Sequence, residues 1–202
     1  KLLLLALSDL LLTPSPDADE NLISEGIRES KIKRVGNIMI DSLFNNLERA
    51  KRSNLVNELN IEKGTYALMT LHRPSNVDSP EPFMRILEAI KQICENTYVI
   101  FPIHPRTKSN AKKFGLDQEL ESIDKLVLLE PLGYLDFISL MSESKFVLTD
   151  SGGLQEETTA LGIPCLTLRE NTERPITVSE GTNVVVGSDT KAIIHHVNLI
   201  HR

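Results

Sequence analysis

A chain of 202 residues, 41% hydrophobic and 25% charged, is long enough for one substantial core and has the composition of an ordinary folded protein. A formal charge of −6 excludes a general binder of nucleic-acid backbone, which presents a dominant basic face; a nucleotide needs only a local site and stays open. Cys94 and Cys165 are far apart and lack zinc-ligand or redox spacing. No metal centre is expected, and both read as buried thiols in a reducing, cytoplasmic setting.

In chain order, the opening "KLLLLALSDLLL" is too short to span a bilayer, is broken by Ser8 and Asp9, and has no small-residue cleavage site. Beginning at Lys1, it reads as the inside of a helix in a piece of a longer protein, and no membrane segment is expected. "DLLLTPS" predicts a strand ending at Pro14, and "PDADENLISEGI" a polar helix that Gly26 closes. "IKRVGN" is a short strand. "IMIDSLFNNLERAKR" is an amphipathic helix with Ile40, Leu43, Phe44 and Leu47 at helical spacing. The polar stretch 51–64 is a helix end plus a connection.

"YALMTLH" (66–72) is the next strand. A well-signalled helix follows, with Asp78 and Glu81 at capping-box spacing, Pro80 in the first turn, and one stripe of Phe83, Ile86, Leu87, Ile90 and Ile93. "YVIFPIH" (98–104), "KLVLLEP" (125–131), "KFVLTD" (145–150), "PCLTLR" (164–169) and "NVVVGS" (183–188) are further strands, most of them separated by helices. Continuous Val/Ile/Leu strands alternating with helices imply a doubly wound parallel α/β sheet covered on both faces. In such sheets ligands sit outside the carboxyl ends of the strands, near a topological switch point. His72, His104, Ser151 and Arg169 all fall at or just past predicted strand ends.

The stretch "TDSGGLQEE" (149–157) joins a strand to a helix through two glycines, with Glu156 and Glu157 expected in the first helical turn. Paired glycines permit positive φ and let another group approach the backbone, and a helix start attracts anions. The stretch therefore reads either as a phosphate seat or as a tight turn whose glutamates complement the helix dipole. "LHRPSNVD" (71–78) sets His72, a potential acid or base, beside Arg73, which can engage phosphate bidentately. "PIHPRT" (102–107) holds His104 between prolines, and "LRENTERP" (168–175) supplies Arg169, Thr172, Glu173 and Arg174. Each alone reads equally as a solvated loop; four at one sheet edge point to a site.

"TLHRPSNVD", "PIHPRT", "LTDSGGLQEE" and "LRENTERP…GTNVVVG", in this order, resemble the C-terminal half of the non-hydrolysing UDP-N-acetylglucosamine 2-epimerases. "SDLLLTPSPDADENLISEGI" and "RVGNIMIDSL" resemble the stretch that joins the two halves of that family. The resemblance implies the two-domain GT-B arrangement, with residues 1–50 as connection and start of the C-terminal half and 51–202 as a Rossmann-like, UDP-binding domain. It implies that Ser151, Gly152 and Gly153 bind the diphosphate, Glu157 the ribose hydroxyls, and the Phe137 backbone the uracil. His72 is implied as the catalytic residue near the departing diphosphate. Arg73 and His104 are implied around the cleft, where some bacterial members bind a second UDP-sugar; Arg169, just past its strand end, is a further substrate-binding candidate.

The activity implied is interconversion of UDP-N-acetylglucosamine and UDP-N-acetylmannosamine by elimination and re-addition of UDP, with no cofactor. The family's catalytic carboxylates and one nucleotide-holding arginine belong to N-terminal motifs absent from these residues, so the chain alone is expected to be inactive. Asp150 is expected to order the Gly-Gly loop. A homodimer is the family's usual state, and the product feeds polysaccharide biosynthesis. A GT-B glycosyltransferase using a UDP-sugar, and a non-catalytic UDP-sugar-binding module, remain open beside this reading.

Overall fold

A computed structural model describes Leu5 and residues 7–202; the expected helical start at residues 1–4 and 6 lies outside the described residues. The chain divides at Asn45/Asn46 into two compact units. In the first, β1 (Leu11–Thr13) and β2 (Ile32–Arg34) pair in parallel, Leu11 opposite Ile32, with helix α1 (Pro16–Ser24) between them in sequence. Asp19 in α1 accepts from Thr13 Oγ1 and pairs with Arg34 at 2.6 Å. Gly26, at φ 86°, stops the helix in the left-handed region that favours glycine. Helix α2 (Ile38–Ala50) spans the division; of its apolar stripe Leu43 is buried, while Phe44 stays 51% exposed.

The second unit is built on six parallel strands: β3 (Tyr66–Thr70), β4 (Tyr98–Pro102), β5 (Leu126–Leu129), β6 (Phe146–Thr149), β7 (Cys165–Thr167) and β8 (Asn183–Val185). Their order across the sheet is β5-β4-β3-β6-β7-β8. After β3 the chain winds outward one way through β4 and β5, then returns to the other side of β3 and winds through β6, β7 and β8. This is the order of a doubly wound dinucleotide-binding fold, with the switch point between β3 and β6. The remaining helices are α3 (Leu55–Glu58), α4 (Pro74–Val77), α5 (Pro80–Cys94), α6 (Pro105–Phe114), α7 (Asp117–Ser122), α8 (Tyr134–Ser142), α9 (Gly152–Leu161), α10 (Ile176–Ser179) and α11 (Thr190–Ile200).

Strand residues alternate between two buried faces, as a sheet covered on both sides requires. Ala67, Met69, Val99, Phe101, Phe146 and Leu148 join one cluster with Phe83, Ile86, Leu87, Ile90 and Ile93 of α5 and Ile193 and Val197 of α11. The alternate set, Tyr66, Leu68, Ile100 and Val147, is equally buried on the other face, where Tyr66 Oη donates to the Leu140 carbonyl of α8 at 2.6 Å. The α5 stripe is thus as expected, but its cap is not. Ser79 is the N-cap residue, without a side-chain bond, and the Asp78 carboxylate is taken by Arg106 and Asn110 of α6. Burial pushes the Cys94 thiol up to about 12 and the Cys165 thiol up to about 11, so neither is a nucleophile near neutral pH. No helix among the described residues is long and apolar enough to cross a membrane.

Candidate functional site

Four candidate residues share one address. His72 lies two residues past the end of β3, His104 two past β4, Ser151 two past β6 and Arg169 two past β7. The parallel strands end together, so the four loops meet at one edge, and the β3 and β6 loops flank the switch point. A cavity of about 270 Å³ opens there, lined by His72, His104, Phe137, Ser151, Pro131 and Leu154 among others.

The β3 and β6 loops are tied together by Asp150, which is fully buried. Its carboxylate accepts from the backbone N–H of His72 (3.0 Å) and of Arg73 (2.8 Å), from Asn76 Nδ2 (3.2 Å), and meets His72 Nδ1 at 3.0 Å. Burial alone would push this carboxyl up. The His72 ring and the two backbone donors outweigh it and hold Asp150 below the usual carboxylate range. Asp150 thus holds the start of the Gly-Gly loop by tying it across the switch point to residues 72–76, while the Ser151 N–H donates to Thr149 Oγ1 at 3.0 Å. Asn76 also donates to the Leu168 carbonyl at 2.7 Å, bringing the β7 loop into the same brace.

The two glycines open α9 with ordinary helical backbone; neither has a positive φ. Positive φ is therefore not the reason for glycine here, although the junction itself is tight, with only Asp150 and Ser151 between strand and helix. A Cβ on Gly153 would meet nothing within 4 Å, so the fold itself does not require glycine at that position. Glycine within a helix costs about 0.5–1 kcal/mol relative to alanine. Bare backbone at a helix start, kept where the fold has no use for it, suits close approach by an external group. Since α9 begins at Gly152, Glu156 and Glu157 lie beyond its first turn, not within it as expected.

Those two glutamates also have partners of their own. Glu156 pairs with Arg174 at 3.1 Å. Glu157 is buried, and burial is the main reason its carboxyl is pushed above the usual range; the Tyr134 hydroxyl, 3.5 Å away, partly offsets this and the nearby Glu156 charge adds to it. A buried carboxylate with so little compensation suits neutral hydroxyl donors.

Two arginines converge beside the start of α9. Arg169 Nη2 reaches Glu173 at 3.0 Å and Arg73 Nη2 reaches the same carboxylate at 3.6 Å. That carboxylate lies 3.6 Å from where a Gly152 Cβ would stand. Arg73 Nε and Arg169 Nη1 are buried without a hydrogen-bond partner among the described residues. The loop that carries Glu173 is anchored by Thr172, whose hydroxyl donates to the fully buried Gln155 of α9. Gln155 also accepts from Asn183 Nδ2 of β8 at 3.2 Å.

The geometry thus brings His72, His104, Phe137 and Ser151 to one cavity, and Arg73, Arg169 and Gly152 together through Glu173. Glu157 stands one turn further along α9. Tyr134, Asn76 and Gln155 were not singled out from the sequence. Asn76 sits within the same "LHRPSNVD" stretch as His72, and Gln155 directly follows the Gly-Gly-Leu run, but nothing local marks Tyr134 as a partner of Glu157.

Comparison with known proteins identifies the family. The family model for UDP-N-acetylglucosamine 2-epimerase matches residues 3–202. The UDP-N-acetylglucosamine 2-epimerase of Methanocaldococcus jannaschii is 43% identical over 200 residues, covering 96% of this chain and 54% of that protein. Its crystal structure in complex with UDP-GlcNAc and UDP superposes with a TM-score of 0.88, over 96% of this chain and 54% of that one. The UDP-2,3-diacetamido-2,3-dideoxy-D-glucuronate 2-epimerase of Pseudomonas aeruginosa is 40% identical over 93% of this chain and 51% of its own length. The chain spans about half the length of the curated relatives it matches. With a family model matched along almost its whole length and the α/β fold of the solved epimerases, the chain belongs to the UDP-N-acetylglucosamine 2-epimerase family.

Proposed function

We propose that this chain is the UDP-binding half of an enzyme that interconverts UDP-N-acetylglucosamine and UDP-N-acetylmannosamine, with residues 51–202 carrying the nucleotide. One observation supports this most: α9 starts with bare glycine backbone at the switch point, beside two arginines that keep buried, unpartnered donors. That arrangement suits a diphosphate. In this reading Ser151, Gly152, Gly153, Arg73 and Arg169 hold the diphosphate, Glu157 accepts from the ribose hydroxyls, and Phe137 lies by the uracil. His72 faces the departing diphosphate, with His104 beside it.

The reaction breaks the bond between C1 and the diphosphate oxygen while C2 loses its proton, giving UDP and a 2-acetamidoglucal; re-addition follows protonation of C2 on the other face. This half supplies electrostatic stabilisation of the leaving UDP. The groups that act at C2 belong to the other half. Relatives named for two different UDP-sugars match at 43% and 40% identity, which supports reading this half as selecting UDP and leaving the hexose to the opposite wall.

The test is to incubate the full-length protein with UDP-N-acetylglucosamine in deuterium oxide and follow C2 of the sugar by NMR. Deuterium at C2 and a second epimer are expected. Transfer of the sugar to an acceptor without epimerisation would point to a glycosyltransferase, and binding without exchange to a non-catalytic module. Residues 1–202 alone are expected to bind UDP weakly and to incorporate no deuterium.

A further inference from the structure

Two histidine rings line the cavity with centroids 5.8 Å apart, and their hydrogen bonds differ in sense. His72 Nδ1 faces Asp150 at 3.0 Å; an ionised carboxylate only accepts, so this nitrogen must carry the proton. His104 Nδ1 accepts from the Arg106 N–H at 3.1 Å, so in the neutral ring the proton must sit on Nε2. Neither Nε2 has a hydrogen-bond partner among the described residues. Asp150 cannot rotate to release its partner, because two backbone N–H groups and Asn76 also hold it.

We propose that the fold fixes His72 and His104 in opposite tautomers, with Asp150 as the positioning residue of His72, so that the cavity meets one Nε2 acceptor and one Nε2–H donor. The inference rests on the reading of this cavity as the seat of a sugar nucleotide. A proton arriving on His72 enters at Nε2 alone, and the imidazolium so formed keeps its bond to Asp150, poised to donate to a phosphate oxygen as charge develops there. His104 donates from the neighbouring position without first gaining a proton.

The effect of Asp150→Asn follows. The amide oxygen can keep the two backbone donors, but its NH₂ then faces His72 Nδ1 and forces that nitrogen to accept. The ring must flip its proton to Nε2. A buried aspartate that sets a histidine tautomer is worth on the order of 10²–10⁴-fold in turnover.

The experiment uses the full-length protein with ¹⁵N-labelled histidine and reads two-bond ¹H–¹⁵N couplings above the pH at which the rings are neutral. His72 is expected as the Nδ1–H form and His104 as the Nε2–H form, assigned by loss of each signal in His72→Gln and His104→Gln. The same tautomer in both rings overturns the proposal, and this reading needs no variant at position 150. Asp150→Asn is expected to convert His72 to Nε2–H and to lower kcat on the order of 10²–10⁴-fold with KM changed only a few-fold. A folded Asp150→Asn protein with normal kcat would remove Asp150 from the mechanism. If the wild type neither binds UDP nor exchanges C2, the sugar-nucleotide reading falls, while the coupling pattern still decides the tautomers.

Discussion

At the amino ends of the strands, His201 is bonded through both ring nitrogens, to Lys145 Nζ at 2.7 Å and Thr97 Oγ1 at 3.3 Å, and meets the Phe146 ring edge-on. At the carboxyl ends, His72 and His104 each use Nδ1 and leave Nε2 open. The contrast extends beyond histidine. Near the amino ends Lys63 pairs with Glu143 at 2.5 Å and Lys125 donates to the Glu95 carbonyl at 2.7 Å. At the carboxyl ends Arg73 and Arg169 keep buried nitrogens without partners among the described residues, and the buried Glu157 meets the Tyr134 hydroxyl only at 3.5 Å. The same residue types thus build structure at one end of the sheet and are held in reserve at the other. Unpartnered buried arginine nitrogens mark the candidate site; the buried Thr182 hydroxyl at the start of β8, also without a partner among the described residues, is neutral.

The sharpest way to break the contrast is His72→Ala. Turnover in the full-length enzyme should fall on the order of 10²–10⁴-fold, the usual worth of a positioned acid or base, and the melting temperature should fall as well, because the buried Asp150 carboxylate loses one of its partners. A lowered melting temperature with normal turnover would make His72 structural, like His201. Gly153→Ala comes next, and its two effects should run in opposite directions. The helix start should gain up to about 1 kcal/mol, since the new Cβ meets open space. UDP affinity measured by calorimetry should drop about tenfold, which is roughly 1.4 kcal/mol. Unchanged affinity would leave the bare backbone unexplained.

Glu157→Gln sharpens the comparison further. Burial raises the Glu157 carboxyl, so the fold favours its protonated form, and stability is lost as pH rises through that raised value. The glutamine protein should therefore melt higher than wild type at pH 7, with the gap closing below the ordinary glutamate range, while UDP binds several-fold more weakly. A glutamine variant that melts lower at pH 7 would show that the carboxylate is satisfied. The smallest effect is expected from His201→Ala, with turnover unchanged. Burial first, then the Lys145 charge, holds His201 below its ordinary value of 6.5, so its contribution is present above that pH and lost as pH falls through the lowered value. The variant should lose that acid-side slope in a thermal melt, and a retained slope would assign it elsewhere.

Most of the fold was legible in the residues because buried parallel strands are nearly continuous apolar runs and α5 repeats its stripe over fifteen residues. The cap of α5 was misread because Asp78 and Glu81 have capping-box spacing, yet Arg106, twenty-eight positions away, claims Asp78. No local pattern encodes that competition. Histidines, arginines and glycines past strand ends could be found by their positions alone. The partners that set their chemistry could not: Asp150 to His72, Gln155 to Thr172 and Tyr134 to Glu157 are cross-loop pairs. For the paired glycines the sequence leaves approach to the backbone and positive φ open together, and only the dihedrals remove the second.

The constant offset of two residues between strand end and site residue carries a consequence for how such an edge can change. The first two positions of each loop are in effect surveyed from the sheet, and everything after them is hung from that fixed point. Lengthening a loop beyond the second position leaves the histidines, serine and arginine in place. A single residue inserted before it reverses which way the side chain departs. Variation in what the edge accepts is therefore expected to accumulate downstream of these positions, in stretches such as 170–175, while the two-residue stubs tolerate substitution far better than insertion.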